Sequence, residues 1–147
     1  MSVVLENKGI LYDYAMKLVG LPYRWGGDDL IDGLDCSGLV IELLQSQGVL
    51  PGGYDASAKA LFTELQRLGA QSHKPEFGVV SFFGSSVGTI SHVSFCMSSS
   101  LMLEAGGGGS TTTSRELASE QNAYVRIRPI ALRKDLLGSL FPKYSWR

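Results

Sequence analysis

The hydrophobic pattern of this chain changes near Gly78, and this change limits the fold more than any other feature. Before Gly78 the apolar residues recur at helical spacing, which predicts helices over about residues 9–19, 36–47 and 56–68. After Gly78 they form short runs rich in β-branched and aromatic residues: VVSFF, HVSFCM, LMLEA and YVRIRPI. The short connections between these runs predict consecutive, largely antiparallel strands. The expected class is therefore α+β, with N-terminal helices packed on an antiparallel sheet of about five to six strands.

Three segments do not follow either pattern. PYRWGGDDLIDGLD (residues 22–35) is rich in Gly and Asp and is interpreted as an ordered loop. GGGGSTTTS (106–114) is expected to be a flexible loop between strands, and the final LRKDLLGSLFPKYSWR (132–147) fits either a short helix or a strand. With no internal repeat and no linker, the sequence predicts a single catalytic domain over residues 1–147.

Charge and composition exclude several classes of function. The 13 basic residues are balanced by 14 acidic ones and form no basic stripe, which argues against a nucleic-acid partner. The N-terminus has no signal-peptide pattern, and no stretch reaches the roughly 18 apolar residues of a membrane span. We therefore expect cytoplasmic synthesis without membrane insertion. Two cysteines do not make a disulfide scaffold.

Cys36 is the candidate nucleophile because it stands where the second helix begins, after Asp35 as N-cap. A thiolate at that position faces the positive end of the helix dipole and the free N–H groups of the first turn. Its own backbone N–H is a natural oxyanion donor. Cys96, inside an apolar strand, fits a buried structural cysteine better.

His92 is the candidate base, and hairpin geometry supplies a partner for it. The other histidine, His73, lies in a polar stretch and is interpreted as a solvated loop residue. If the serines at 98–100 form a three-residue turn, Met97 pairs with Leu101, and Glu104 becomes a diagonal neighbour of His92 on the same face. A carboxylate there would orient the imidazole and stabilise the imidazolium. A solvated strand end remains the alternative interpretation of Glu104.

The motifs PYRWGG, DCSG at the start of a helix and SHV on a strand together resemble the NlpC-type peptidoglycan cysteine peptidases. The resemblance extends from Tyr14 to about Pro129 and implies a reduced papain-like fold. The family's nucleophile, base and third polar residue match Cys36, His92 and Glu104. The resemblance also implies hydrolysis of cell-wall stem peptides at the γ-D-glutamyl–diamino acid bond, without metal or cofactor.

The same resemblance assigns a substrate-binding role to three more residues. Tyr23 matches the tyrosine that lies beside the nucleophile and helps to bind the reacting group. Asp35 and Ser37 match the residues that line the subsite for the free amine of a stem peptide.

The sequence departs from the family pattern at several places. The third residue is usually His, Asn or Gln, whereas here it is Glu104; the usual GD reads Gly78-Val79, and HVGIYLG reads HVSFCMS. The usual leader and wall-binding repeats are absent from this sequence. These features favour a bacteriophage tail or lysis component, an enzyme delivered by another machine, or an intracellular enzyme that recycles wall peptides.

Two rival functions fit the same residues. A CHAP-type peptidoglycan amidase or endopeptidase shares the order Cys, His, polar residue and often uses Glu, but the PYRWGG and DCSG motifs argue against it. A non-catalytic domain that binds wall peptide or builds a phage tail is the alternative outside the enzymes.

Overall fold

The computed structural model describes residues 3–147, with side chains from residue 6 onward, so the first two residues of the predicted domain lie outside it. Four α-helices are present in this range: α1 (Val3–Lys17), α2 (Cys36–Ser46), α3 (Ala58–Arg67) and α4 (Arg115–Glu120). The first three confirm the predicted helices, although α1 begins earlier and ends sooner than its apolar pattern indicates.

Six strands form one antiparallel sheet, and two short strands form a separate hairpin. The hairpin strands are β1 (Asp28–Asp29) and β2 (Gly33–Leu34). The sheet strands are β3 (Gln71–Ser72), β4 (Val80–Gly84), β5 (Ile90–Cys96), β6 (Leu101–Gly106), β7 (Tyr124–Pro129) and β8 (Leu136–Phe141). Their order across the sheet is β3-β8-β4-β5-β6-β7. The predicted α+β class and the antiparallel sheet are confirmed.

Side-chain caps fix where three of the helices begin. Asp35, Ser57 and Ser114 each stand before a helix with extended backbone, and each side chain accepts a hydrogen bond from an N–H of the first turn. The Ser114 cap marks a difference from the sequence prediction. The glycine-rich segment leads into α4 rather than directly into a strand, because this cap starts a short helix before β7.

The core lies between the helices and the sheet. Leu39, Leu43 and Leu44 of α2 and Leu61 and Leu65 of α3 are fully buried. Both helices pack on β5, which explains why that strand is buried along almost its whole length. The C-terminal segment, compatible with helix or strand by sequence, forms β8, which inserts between β3 and β4. No helix within residues 3–147 combines the length and the apolar character required to span a bilayer.

Candidate active site

The N-terminus of α2 presents Cys36 as the first helical residue. The N-cap carboxylate of Asp35 accepts a hydrogen bond from the Gly38 N–H at 2.7 Å and one from the Ser37 hydroxyl at 3.2 Å. As a first-turn residue, Cys36 has a backbone N–H without an acceptor inside the helix. The half-buried thiol therefore lies beside a free donor at the positive end of α2.

A close contact of two glycines joins the start of α2 to the preceding turn. The Gly27 carbonyl accepts the Asp35 N–H at 3.0 Å, and a Cβ on Gly38 would collide with that same carbonyl oxygen. Glycine at position 38 thus lets the backbone of the turn lie against the helix. This contact fixes the position of Cys36 relative to Trp25 and Tyr23 in the same segment.

The β5–β6 hairpin brings a histidine and a carboxylate together. Phe95 pairs with Leu103, and the Met97 N–H donates to the Leu101 carbonyl at 2.8 Å, which confirms the predicted register. Nε2 of His92 lies 3.1 Å from Oε2 of Glu104. Glu104 is only 3% exposed, so the structure contradicts its interpretation as a solvated strand end.

The electrostatics of this pair favour its charged form. Burial alone would lower the pKa of His92, but hydrogen bonds to Cys36 and Glu104 and their negative charges outweigh it and raise that pKa to about 9. Burial likewise favours neutral Glu104, yet the hydrogen bond and charge of His92, with the charges of Arg128 and Arg133, hold its pKa below the ordinary value. The site therefore stabilises an imidazolium at neutral pH. Because Nε2 of His92 is hydrogen-bonded to Glu104, Nδ1 is the ring nitrogen that remains to exchange a proton with the Cys36 thiol.

Two clefts meet at Cys36, each with a volume of about 310 Å³. We call the first the Asp35 cleft; it is lined by Asp35, Ser37, Ser57, Ala58 and Ile90. We call the second the arginine cleft; it is lined by His92, Glu104, residues 105–109, Arg128 and Arg133. Cys36, Tyr23, Trp25 and Ser91 border both clefts, so a single groove passes over the thiol.

Tyr23 lies at the junction of the two clefts and is 6% exposed. Burial, followed by the negative charges of Cys36 and Asp35, raises its pKa to about 12. The phenol is therefore protonated and can donate a hydrogen bond next to the thiol. Tyr23 therefore lies in the groove with Cys36, and its role in binding the reacting group stays a prediction.

The glycine-rich segment forms one wall of the arginine cleft. A Cβ on Gly108 would collide with the ring of Tyr23, so only glycine allows this approach. Thr112 exchanges hydrogen bonds with Gly109, and its carbonyl accepts the Trp25 N–H at 2.7 Å. The segment is thus anchored to the turn that precedes Cys36, unlike the flexible loop expected from its composition.

Three aromatic or charged residues of the groove had no assigned role at the level of sequence: Trp25, Arg128 and Arg133. Trp25 is 55% exposed at the junction of both clefts. The position of Arg128 could have been predicted from strand geometry. Glu104 pairs with Arg126, and Arg128, two residues further along β7, lies on the same face of the sheet. Arg133 follows a turn of 3₁₀-helix after β7, and no local pattern in the sequence indicates its direction.

The remaining candidates lie away from the groove. Cys96 is fully buried in β5, with its sulfur 3.2 Å from the Ser81 hydroxyl, as a structural cysteine would be. His73 follows β3 and packs its ring edge-on against Phe141. Within residues 3–147, no group of three or more His, Cys, Asp or Glu side chains is arranged to hold a metal ion.

Comparison with known proteins places this geometry in a family. The model of the NlpC/P60 family matches residues 20–128. An NlpC/P60 family protein from Bacillus cereus has a similar structure, with a TM-score of 0.66 at 20% identity over 93% of this chain. This chain spans only 40% of the length of that protein. No match was found among curated proteins.

The NlpC/P60 domain of the peptidoglycan hydrolase SagA is also similar, with a TM-score of 0.60 at 21% identity. The match covers 90% of this chain and 97% of that domain. These likenesses confirm the reduced papain-like fold. Because the family model spans most of the chain and includes Cys36, His92 and Glu104, the chain belongs to the NlpC/P60 family of cysteine peptidases.

Proposed function

We propose that this protein is a cysteine peptidase that hydrolyses peptidoglycan stem peptides at the γ-D-glutamyl–diamino acid bond. The observation that carries the proposal is the groove over Cys36, in which a helix-start thiol lies beside a buried His92–Glu104 pair. Membership of the NlpC/P60 family and the likeness to a domain of a peptidoglycan hydrolase support the substrate class.

The proposed reaction uses the charged Cys36–His92 pair. The thiolate of Cys36 attacks the γ-carbonyl carbon of D-glutamate, and the negative charge moves to the carbonyl oxygen, where the Cys36 backbone N–H donates a hydrogen bond. His92 then gives its proton to the departing amine as the C–N bond breaks, which leaves a thioester on Cys36. Neutral His92 then takes a proton from water, and the resulting hydroxide cleaves the thioester. This step releases the γ-carboxyl group of D-glutamate and restores the imidazolium of His92 and the thiolate of Cys36.

Glu104 acts through His92 in this scheme. Its carboxylate holds the imidazole by Nε2 and compensates the positive charge that His92 carries before amine departure. The site thus differs from family members with a neutral third residue, because a full negative charge faces the imidazolium.

The Asp35 cleft is proposed to bind the free amine of the first stem residue. Asp35 is a half-buried carboxylate whose Oδ1 already orders α2, and Ser37 and Tyr23 place hydroxyl groups beside it. A carboxylate in such a cleft binds an ammonium group more strongly than a neutral donor. Peptides with a free N-terminal L-alanine are therefore the expected substrates.

Digestion of free stem peptides and of intact muropeptides, followed by mass spectrometry, tests the proposal; only the free peptides carry the N-terminal amine, which the sugar's lactyl group acylates in muropeptides. The expected products end at the γ-carboxyl of D-glutamate on one side and begin at the diamino acid on the other. Release of the intact peptide from the sugar would instead support the CHAP-type amidase alternative, and cleavage of the glycan strand would contradict a peptidase. Binding of the free stem peptides without any product would favour the non-catalytic alternative.

A further inference from the structure

The arginine cleft carries two guanidinium groups that the proposed reaction does not use. Arg128 is partly exposed, and its Nη1 lies 3.5 Å from Oε1 of Glu104, at the long limit of a hydrogen bond. Arg133 binds Asp135 through Nε and Nη2, at 2.9 and 2.7 Å, and its guanidinium lies 5.0 Å from the centre of the Phe83 ring. These contacts hold Arg133 in place but use only one edge of its guanidinium.

The geometry leaves donors of both arginines free to bind a ligand. Nη1 of Arg133 has no hydrogen-bond partner among the described residues, and Arg128 has no partner there other than Glu104. The acidic groups that line the cleft are Glu104, already hydrogen-bonded to His92, and the thiol of Cys36. The glycine segment 106–109 also lines this cleft, and because it has no side chains it leaves space for a substrate.

The direction of the substrate decides which part of it meets these arginines. If the free amine lies at Asp35 and the scissile carbonyl at Cys36, the residue after the scissile bond enters the arginine cleft. That residue is the diamino acid, which carries up to two free carboxylates according to its type and to the length of the stem. Guanidinium groups recognise carboxylates by paired, charge-assisted hydrogen bonds.

We propose that Arg128 and Arg133 bind a free carboxylate of the diamino acid and thereby select stem peptides in which that carboxylate is not amidated. This inference rests on the proposed function and defines the substrate class of the same site more closely. Arg128 contacts Glu104 directly, and the charge of Arg133 also acts on Glu104. The ratio of rates on two substrates is therefore the informative quantity, because an effect on Glu104 changes both rates together.

The test measures kcat/KM on three synthetic peptides: L-Ala-γ-D-Glu-L-Lys, the same peptide with a C-terminal amide, and the same peptide amidated at the α-carboxyl of D-glutamate. The wild-type protein should cleave the C-terminal amide about tenfold less efficiently than the free acid, the change expected from one charge-assisted hydrogen bond. Arg133→Gln should bring the two rates to within about twofold of each other, roughly a fivefold to tenfold fall in the ratio. The double variant Arg128→Gln/Arg133→Gln should remove the remaining preference.

Two control variants separate recognition from folding. Asp135→Asn removes the partner's charge but keeps Oδ1 as the acceptor of the Arg133 Nε–H, so the guanidinium stays in place and the preference for the free acid should remain. Arg67→Gln removes an arginine on α3, outside both clefts, and should leave the ratio unchanged. Melting temperatures of all variants identify any that fail to fold. If Arg133→Gln is among them, Arg133→Lys replaces it, because lysine keeps the charge without the planar fork. This variant should retain a reduced but measurable preference for the free acid.

Several results would overturn the inference. Equal kcat/KM of the wild-type protein on the acid and the C-terminal amide, or a ratio unchanged in the double variant, would show that the arginines do not bind this carboxylate. A preference that depends on the arginines but responds only to amidation of D-glutamate would place the carboxylate on the other side of the scissile bond. If the wild-type protein cleaves neither these three peptides nor the corresponding tripeptide that ends in meso-diaminopimelate, the proposed function itself is wrong, and the inference fails with it.

Discussion

Replacement of Glu104 by Gln is predicted to lower the pKa of His92 and to narrow the pH range of activity on the alkaline side. Gln has nearly the same shape and keeps an oxygen that can accept a hydrogen bond, but it removes the negative charge 3.1 Å from Nε2. The imidazolium would then keep only Cys36 as a negatively charged hydrogen-bond partner. The effect of burial, which favours neutral imidazole, would then be less fully opposed, and the pKa of His92 would fall.

The expected size of the effect follows from the pKa of His92. The rise from 6.5 to about 9 corresponds to about 3 kcal/mol in favour of the imidazolium, supplied jointly by Cys36 and Glu104 after the opposing effect of burial. If Glu104 supplies about half, the pKa of His92 in Glu104→Gln should fall by about one pH unit or more. Glu104→Ala also frees the ring to rotate and should lower turnover by about 10- to 10⁴-fold.

The sign of the stability effect can be stated as well. A histidine whose pKa is raised in the folded state stabilises it fully below pH 6.5, and this contribution is lost as the pH rises through about 9. The wild-type protein should therefore lose stability between these values, and Glu104→Gln should lose less over the same range.

The assay combines a pH profile of kcat/KM with an NMR titration of the imidazole signals. The chain has two histidines, so His73 provides an internal reference for His92. Glu120→Gln, which removes an exposed carboxylate on α4, is the matched control and should leave the profile as in the wild type. An alkaline limb and a His92 titration that do not change in Glu104→Gln would refute the electrostatic role of Glu104. Full turnover in Glu104→Ala would show that Cys36 and His92 act as a dyad.

Three further predictions concern the thiols, the amine subsite and the start of α2. An alkylating reagent near pH 8 should label Cys36 much faster than Cys96, because Cys96 is fully buried and burial raises its pKa to about 11; equal rates in peptide mapping would contradict this difference. Asp35→Asn keeps a capping side chain, so it should fold normally. In kinetic assays it should lose most of the preference for peptides with a free over an acetylated N-terminus, and an unchanged preference would show that Asp35 does not bind the amine. Gly38→Ala should destabilise the protein by about 1–3 kcal/mol in denaturant unfolding, whereas Gly138→Ala, where a Cβ meets no neighbour, serves as control; equal stability of the two variants would contradict the close contact.

The parts of the site that the sequence predicts are those fixed by local geometry. The serine turn after Met97 determines the register of β5 and β6, and the alternation of side chains then brings Glu104 to His92. The helix start at Cys36 follows in the same way from Asp35, because a capping residue identifies the first turn of a helix.

The remaining parts depend on contacts between distant segments. The C-terminal segment becomes a strand because Ser139 and Leu140 pair with β4, almost sixty residues earlier, and its own pattern does not distinguish strand from helix. α4 is only six residues long, and its cap at Ser114 is hidden among similar polar residues. Arg133 reaches the arginine cleft only because the turn after β7 directs it there, which no periodicity reveals.

Cleavage of one defined peptide tests the central claim most directly. L-Ala-γ-D-Glu-L-Lys is incubated with the wild-type protein, Cys36→Ala and Cys96→Ser, and the products are identified by mass spectrometry. The account predicts free lysine and the dipeptide L-Ala-D-Glu from the wild-type protein and from Cys96→Ser, and no product from a folded Cys36→Ala. Turnover retained by Cys36→Ala, or cleavage at the alanyl bond instead, would contradict it.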